Sequence, residues 1–512
     1  MSNFVGVEVN RVLPSEPYDS LADYIAAGGG EGLTATRAVS PDTIIDELAA
    51  SGLRGRGGAG FPTGEKWRTI KSFASPLLRT SVVVNAAEGE PGTFKDRSII
   101  RANPYAVIEG ALIAALAMDA TSIVIGTKAT FVDEMARLRA AIAEIVAAGW
   151  AGDVEVRIVE GPSEYLYGEE TALLEVIDDR PPFPRIAPPF RRGIVEVVTT
   201  EGDAESGSGL PANVQMASTE DDRAAPPVLV DNVETMANIA AIIAKGAAWF
   251  RSLGTAKSPG TIVCTVTGAV QHPGVAEVPM GTTLREVIDR AGGGVELGRN
   301  VRAVLVGVSS AVLTADQLDT ELSYESMAAI GSGLGSAGFI VIGDDADLIG
   351  VAAGVSRFLA IESCGQCTPC KQDGAEIARL LASAAAGEGT PDDLETVKAR
   401  LATVADGARC SLAAQQQTVV GSLLNAFDKS VNSSFEPGAT PVEVRLVAAL
   451  VDIGEQGANI DTSFAGKQPD WTYDEVDSGK TPVERFTDHR ADDAEADTDA
   501  ANTDAAKTDA DG

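Results

Sequence analysis

Four of the chain's five cysteines fall into one arrangement: Cys364, Cys367 and Cys370 stand with two residues between neighbours, and Cys410 follows at a distance. Three thiolates converging from one tight loop, closed by a remote fourth, form a set that holds a 4Fe-4S cluster. Pro369 stiffens the loop and removes one backbone N–H. Tetrahedral zinc also takes four cysteines, but its structural sites usually draw them as two separated pairs. The spacing favours the cluster and leaves zinc as the alternative. Disulfides are disfavoured, because cysteines are few for 512 residues and residues 1–9 have neither a basic nor an apolar leader region.

A second stretch suits a flat or phosphorylated ligand. Gly55, Gly57, Gly58, Gly60 and Gly64 leave a backbone that a ring or a pyrophosphate can approach closely. Gly55-x-Gly57-x-x-Gly60 matches the dinucleotide fingerprint as a string, but a helix precedes it and Pro62 stands where the phosphate-binding helix should open. It is therefore not an ordinary Rossmann turn. Arg54, Arg56 and Lys66 flank the loop with positive charge, and Phe61 and Trp67 offer faces for stacking. A third stretch, Gly168, Glu169 and Glu170, opens a helix with two carboxylates. They either complement the helix dipole or, brought near the glycine loop, reach a ligand.

These residues need a scaffold. Ser40 and Pro41 read as a helix start, after a weakly patterned segment 1–40. Strands over 81–85, 122–126 and 154–159 alternate with helices over 104–118 and 132–147. That alternation predicts a parallel sheet covered by helices, with ligands beyond the carboxyl ends of its strands, where the loop after Asn85 lies. A proline-rich connector over 181–190 and an acidic, Gly/Ser-rich insertion near 199–222 follow, then a helix ending near 254. The expected domain runs over 41–255. Short strands over 261–267, 275–278 and 303–306, with a helix over 283–291, make a small α+β domain over 256–340, in which Cys264 is a buried hydrophobe. Helices over 347–361, 374–386, 391–405, 412–427 and 441–453 predict a bundle over 341–455, with the cysteine triplet at one end. Residues 456–512 read as an acidic disordered tail. The two histidines, His272 and His489, are given no catalytic role.

Composition narrows the partners. A net charge of −34 disfavours nucleic acid and anionic membrane surfaces. The acidic excess is dispersed along the chain, which fits a halophilic protein kept soluble in concentrated salt. No run of eighteen apolar residues appears, so a membrane would be reached only through partners, and the expected location is cytoplasmic.

Five motifs occur in order: Gly-Leu-Arg-Gly-Arg-Gly-Gly-Ala-Gly-Phe-Pro-Thr-Gly at 52–64, Glu-Gly-Glu-Pro-Gly-Thr-Phe-Lys-Asp-Arg at 88–97, Gly-Glu-Glu-Thr-Ala-Leu at 168–173, Asn-Val-Glu-Thr at 232–235 and Glu-Ser-Cys-Gly-x-Cys-Thr-Pro-Cys at 362–370. Over about residues 20–440 the chain resembles the flavin-binding, NADH-oxidising subunit of respiratory complex I, and is similar to the diaphorase subunits of NAD-dependent hydrogenases and formate dehydrogenases. The resemblance implies an α/β FMN-binding domain, a ubiquitin-like, soluble-ligand-binding β-grasp domain and a helical 4Fe-4S domain. It implies that Gly57, Lys66, Asn85, Glu88, Gly168, Glu169 and Asn232 hold FMN. Gly55, Gly58, Gly60, Phe61, Gly64, Glu90, Glu170 and Phe190 would meet NADH, and Cys364, Cys367, Cys370 and Cys410 the cluster. The chemistry is carried by FMN rather than by a catalytic side chain. Partners implied are a thioredoxin-like 2Fe-2S subunit and a larger iron-sulfur subunit. The competing readings are an NAD-reducing subunit of a hydrogenase or formate dehydrogenase assembly, and a non-catalytic electron relay with a decayed nucleotide site. The chain departs from the family pattern at Ala87, Tyr167 and Asp231, and in having Ala187 for a lysine and Thr69 for an aromatic. The last two imply weaker nucleotide binding.

Overall fold

A computed structural model describes residues 9–74, 79–186, 188, 226–454 and 457–487. Phe190, the acidic insertion near 199–222 and the end of the tail from 488 lie outside them. The chain divides into two compact units, 1–345 with 449–460, and 346–448 with 461–512.

The first unit contains a sheet of β1 (Ser81–Ala86), β2 (Ser122–Lys128), β3 (Glu155–Gly161) and β4 (Val228–Asn232), in the order β3-β2-β1-β4. All neighbours are parallel. Val82, Val83 and Val84 are buried on both faces of β1, as expected for a central strand of such a sheet. The order reverses at β1, with β2 and β3 on one side and β4 on the other, so the carboxyl ends of β1 and β4 are the switch point at which such a sheet forms its ligand crevice. Residues 228–232, expected only to lead into a helix, form that fourth strand.

Helix starts follow their capping residues. Ser40 accepts from the Thr43 N–H ahead of Pro41–Ser51, and Asn103 from the Ala106 N–H ahead of Pro104–Met118. The segment 1–40 is better ordered than its pattern predicts. Its helices Leu21–Ala26 and Glu31–Thr36 are short, which hides their periodicity, yet Leu21, Tyr24 and Leu33 enter the core. The buried Glu109 carboxylate ties them down, accepting from the Tyr24 hydroxyl at 2.7 Å and the Gly30 and Leu33 N–H groups at 2.8 and 2.9 Å.

A second sheet joins β5 (Thr261–Gly268), β6 (Gly274–Pro279), β7 (Val301–Val306), β8 (Ser310–Thr314) and β9 (Gly338–Gly343) in the order β6-β5-β9-β7-β8. Central β5 and β9 are parallel and the other pairs antiparallel. The helix Leu284–Gly292 covers this sheet through Val287, Ile288 and Ala291, and Cys264 is fully buried in the same core. Strands β8 and β9 were not expected. Glu277 on β6 is buried and accepts from Thr261 Oγ1 at 2.6 Å and from the Val12 and Leu13 N–H groups at 2.8 and 2.9 Å.

Burial pushes the Glu277 carboxyl up to about 7 from 4.5, although its three donors pull the other way. An acid raised on folding contributes stability fully present below pH 4.5 and lost as pH rises through 7. We expect stability to fall by about 3 kcal/mol across that window, and Glu277→Gln, which keeps the backbone bonds, to flatten the dependence. Melting temperatures across the window for both chains check this; parallel curves refute it.

A hairpin of β10 (Leu450–Gly454) and β11 (Gly457–Ile460) completes the first unit. In the second unit, Leu348–Glu362 and Pro391–Thr403 are helical as expected, the helix expected over 374–386 starts earlier, as Thr368–Ala385, and takes in Cys370, and the helix over 412–427 is interrupted by a π-helical turn, Gln416–Val420. The helix expected over 441–453 is absent. Residues 441–449 form no regular element and run against the helix Leu348–Glu362, where Gly350 and Gly354 leave it bare and the Glu443 and Arg445 carbonyls occupy the space a Cβ would take. The Arg445 N–H also donates to Gly350 O at 3.1 Å. The disordered tail expected from 456 does not begin there. Residues 457–487 are folded, and polar contacts rather than apolar periodicity hold their main part: Trp471 Nε1 donates to Ile361 O at 2.8 Å, and Lys467 Nζ pairs with the buried Glu362 at 2.8 Å.

Among the described residues no single helix is long and apolar enough to cross a membrane. The one pair that passes together, Lys95–Ala102 and Pro104–Met118, is bent by 97° and largely buried.

Candidate functional site

The glycine loop is held by its own hydrogen bonds and by Tyr324. Arg54 Nε donates to Gly60 O at 2.6 Å, and the Gly55 N–H to Phe61 O at 2.8 Å. Tyr324 braces it, its hydroxyl donating to Gly55 O at 3.0 Å and its ring lying 4.0 Å beneath the Arg54 guanidinium. Gly58 and Gly60 have φ of 119° and 62°, values that side chains rarely adopt. Gly64 has another use: its α-carbon packs on Ala49. Trp67, expected as a stacking face, is fully buried, its indole N–H donating to Asp231 at 2.7 Å. Arg56 is buried too, bonded to Thr261 O at 2.8 Å and 3.8 Å from Glu234, so it is not a surface cation.

The loop meets the crevice at the switch point. A Cβ on Gly57 would lie 3.2 Å from that of Asn232, which ends β4 in register with Asn85 on β1. Asn85 Nδ2 donates to Gly168 O at 2.8 Å, and a Cβ on Gly168 would come 3.0 Å from Ala87 O. Glu169 caps the helix Glu170–Ile177, accepting from the Thr171 and Ala172 N–H groups at 2.9 Å. Lys66 reaches the same edge from the helix Thr63–Ser72, with Nζ 2.6 Å from Val230 O and 2.7 Å from Glu170 Oε1. Burial works against its ammonium, but Glu170 and Asp231 outweigh it and leave the pKa above the ordinary value. Gly57, Lys66, Asn85, Gly168, Glu169 and Asn232 are thus brought together from separate elements.

Beneath them runs a buried charge network missed in the sequence. Lys95 Nζ lies 2.7 Å from Asp96 and 3.0 Å from Glu234, and Asn232 Nδ2 donates to Asp96 Oδ2 at 2.7 Å. Burial pushes the Asp96 carboxyl up to about 6 against the pull of Lys95, and Glu88 adds to the rise. Glu88 accepts from the Asp96 N–H at 3.2 Å and from Arg97 Nε at 3.1 Å. The available signal was Lys95, Asp96 and Arg97 opening a helix that ends in an apolar core.

On the nucleotide side, Phe61 is 55% exposed and Glu170 partly so. Glu90 is held by the Val308 N–H at 3.1 Å and by the Ser336 hydroxyl, and burial raises its pKa.

The cysteine triplet joins the helices Leu348–Glu362 and Thr368–Ala385. Cys364 is buried, and none of the four cysteines is in a disulfide. Among the described residues no three Cys, His, Asp or Glu side chains gather round a point where one metal ion could bind. Lys371 is buried beside the triplet, its Nζ bonded to Ser363 O at 2.9 Å and Pro469 O at 2.6 Å. Burial pulls its pKa down to about 8 and pushes the Cys370 thiol up to about 11. A buried cation suits a group carrying the negative charge of four thiolates, and the donor set fits a 4Fe-4S cluster.

Comparison with known proteins adds three matched stretches: a Nuo51 FMN-binding domain over 48–241, an SLBB domain over 263–311 and an NADH-ubiquinone oxidoreductase-F iron-sulfur binding region over 350–434. The F 2 subunit of the NADH-quinone oxidoreductase of Rhizobium meliloti is 37% identical, over 74% of this chain and 85% of its own length. The HndC subunit of the NADP-reducing hydrogenase of Solidesulfovibrio fructosivorans is 35% identical, over 81% and 80%. Among solved structures, an NAD+-reducing [NiFe]-hydrogenase in the H2-reduced state aligns with a TM-score of 0.70 and 31% identity, over 82% of this chain and 68% of that one.

Proposed function

Because the chain belongs to the family of flavin-binding, NADH-oxidising subunits of NADH-quinone oxidoreductases, we propose that the crevice at the ends of β1 and β4 is its FMN site and that the glycine loop receives the nucleotide. The protein is an NADH:acceptor oxidoreductase component with FMN and a 4Fe-4S cluster. FMN held in this crevice would supply the conversion of a two-electron hydride donor into one-electron steps that an iron-sulfur cluster can accept. The chain's own residues position the partners. Gly57 and Gly168 keep side chains off the crevice, Asn85 and Asn232 present amides at the strand ends, and Lys66 supplies a cation. Glu88 and Glu169 complete the proposed flavin set, and Cys364, Cys367, Cys370 and Cys410 are assigned to the cluster.

The observation that carries this reading is the meeting of the glycine loop with the register-paired Asn85 and Asn232 at the switch point. The order β6-β5-β9-β7-β8 supports a β-grasp assignment for the second sheet, and the helices around the triplet support a helical cluster domain. We assign a thioredoxin-like 2Fe-2S subunit and a larger iron-sulfur subunit as partners, with attachment to the cytoplasmic face of a membrane only through them. The hydrogenase relatives favour a second reading in which the same site reduces NAD.

Glu170 and Phe61 are the exposed nucleotide-side groups. In stopped-flow, NADH should bleach the flavin absorbance of the anaerobically purified chain. Glu170→Ala, removing one hydrogen-bonding carboxylate, should raise the half-saturating NADH concentration about tenfold. Failure of saturating NADH to bleach the flavin would refute the site.

A further inference from the structure

The hairpin of β10 and β11 lies beyond the last matched stretch, 350–434, yet folds into the first unit. Its contact there is specific. Arg97 Nη1 donates to the Leu450 and Val451 carbonyls at 2.8 and 3.2 Å, and Nη2 to Thr93 O at 3.1 Å. The remaining Nε donates to Glu88 Oε2 at 3.1 Å. The guanidinium is 2% exposed and lies between the rings of Phe94 and Phe131, with its carbon 4.0 and 4.6 Å from their centroids. A second arm runs parallel: Arg101 bridges Glu134 at 2.6 Å and Asp452 at 2.7 Å and also faces Phe94.

An arginine fork is planar, so fixing two of its corners fixes the third. Leu450, Val451 and Thr93 fix the Nη corners, and Nε then holds the carboxylate that the Asp96 N–H also binds. We propose that the hairpin β10–β11 belongs to the flavin-binding machinery: it pins Arg97, a positioning residue, which sets the Glu88 carboxylate at the flavin crevice. The proposal rests on the reading that Glu88 contacts FMN.

The test uses the full chain stripped of flavin and titrated with FMN, following flavin fluorescence. Replacing residues 450–460 with a Gly/Ser linker of equal length should weaken FMN binding about tenfold, the scale of one charge-assisted bond. Arg97→Lys, which keeps the charge but loses the fork, should weaken it in the same direction with the hairpin untouched. In a Glu88→Gln background the linker should add nothing, since both changes act through one carboxylate. Equal losses in both backgrounds would make the hairpin merely structural and overturn the proposal. So would unchanged affinity in the linker chain or the Arg97→Lys chain while Glu88→Gln weakens FMN. Unchanged affinity in Glu88→Gln alone would overturn the assignment of Glu88 itself.

Discussion

Replacing Cys370 with alanine is expected to empty the chain of its cluster, with iron and acid-labile sulfide falling from about four each toward zero. Cys370 opens the helix Thr368–Ala385 beside Thr368 and Pro369, and its thiol lies 3.2 Å from Ser363 Oγ. Flavin reduction by NADH should survive, because the flavin crevice lies in the other unit. Onward one-electron transfer to an added acceptor that draws on the cluster should fall by orders of magnitude. Cys264→Ala is the contrast: that thiol is fully buried in β5 among apolar side chains, and its loss should leave the iron content unchanged. Full iron in Cys370→Ala, or zinc in the anaerobically prepared parent, would refute the assignment.

The second large effect is on stability. Glu234 is 1% exposed, with Oε2 3.0 Å from Lys95 Nζ and Oε1 accepting from the Val263 N–H at 2.9 Å, 3.8 Å from Arg56. Glu234→Gln leaves Lys95 with Asp96 and the field of Glu88, and takes from Arg56 the carboxylate it is paired with. Breaking a buried pair in this way costs about 3–5 kcal/mol, roughly a fifth or more of the stability of an ordinary domain. Removing the cation as well, in Glu234→Gln with Arg56→Met, should recover part of the loss. Denaturant unfolding followed by tryptophan fluorescence reports the effect, since Trp67, Trp150 and Trp249 lie in the first unit and Trp471 alone in the second. A loss under about 1 kcal/mol would show that the network is better solvated than its burial indicates.

What could be read in advance depended on whether the cause was local. Pro41, Pro104 and Pro391 announced helices that start where expected, and the run Val82–Val84 announced a buried strand. The cysteine spacing and the glycine loop were visible because close neighbours in the chain set them. The burial of Trp67 and Arg56 was not, because each depends on a carboxylate more than 160 positions away: Asp231 for one and Glu234 for the other. A tryptophan beside a glycine loop looks like a stacking face until that partner is known. Residues 441–453 failed for a similar reason. Val442, Val447 and Leu450 suit a helix stripe, but two bare glycines on another helix take the Glu443 and Arg445 carbonyls against them. Glu169, read as either a dipole complement or a ligand group, caps its helix and also stands at the crevice.

The discontinuity of the first unit bears on how the chain comes to be made. Arg97 waits for Leu450, 353 residues further along. At about 5–20 residues per second of synthesis, that wait is roughly 20–70 s. During it the sheet of β1 to β4 has been translated in full, while the Arg97 corner facing β10 has no partner. The second unit's helices from Leu348–Glu362 to Asp428–Ser433 all emerge before the first unit can close. A nascent chain halted at residue 345 should therefore hold a sheet but capture flavin poorly, and cofactor loading becomes a late step of biogenesis.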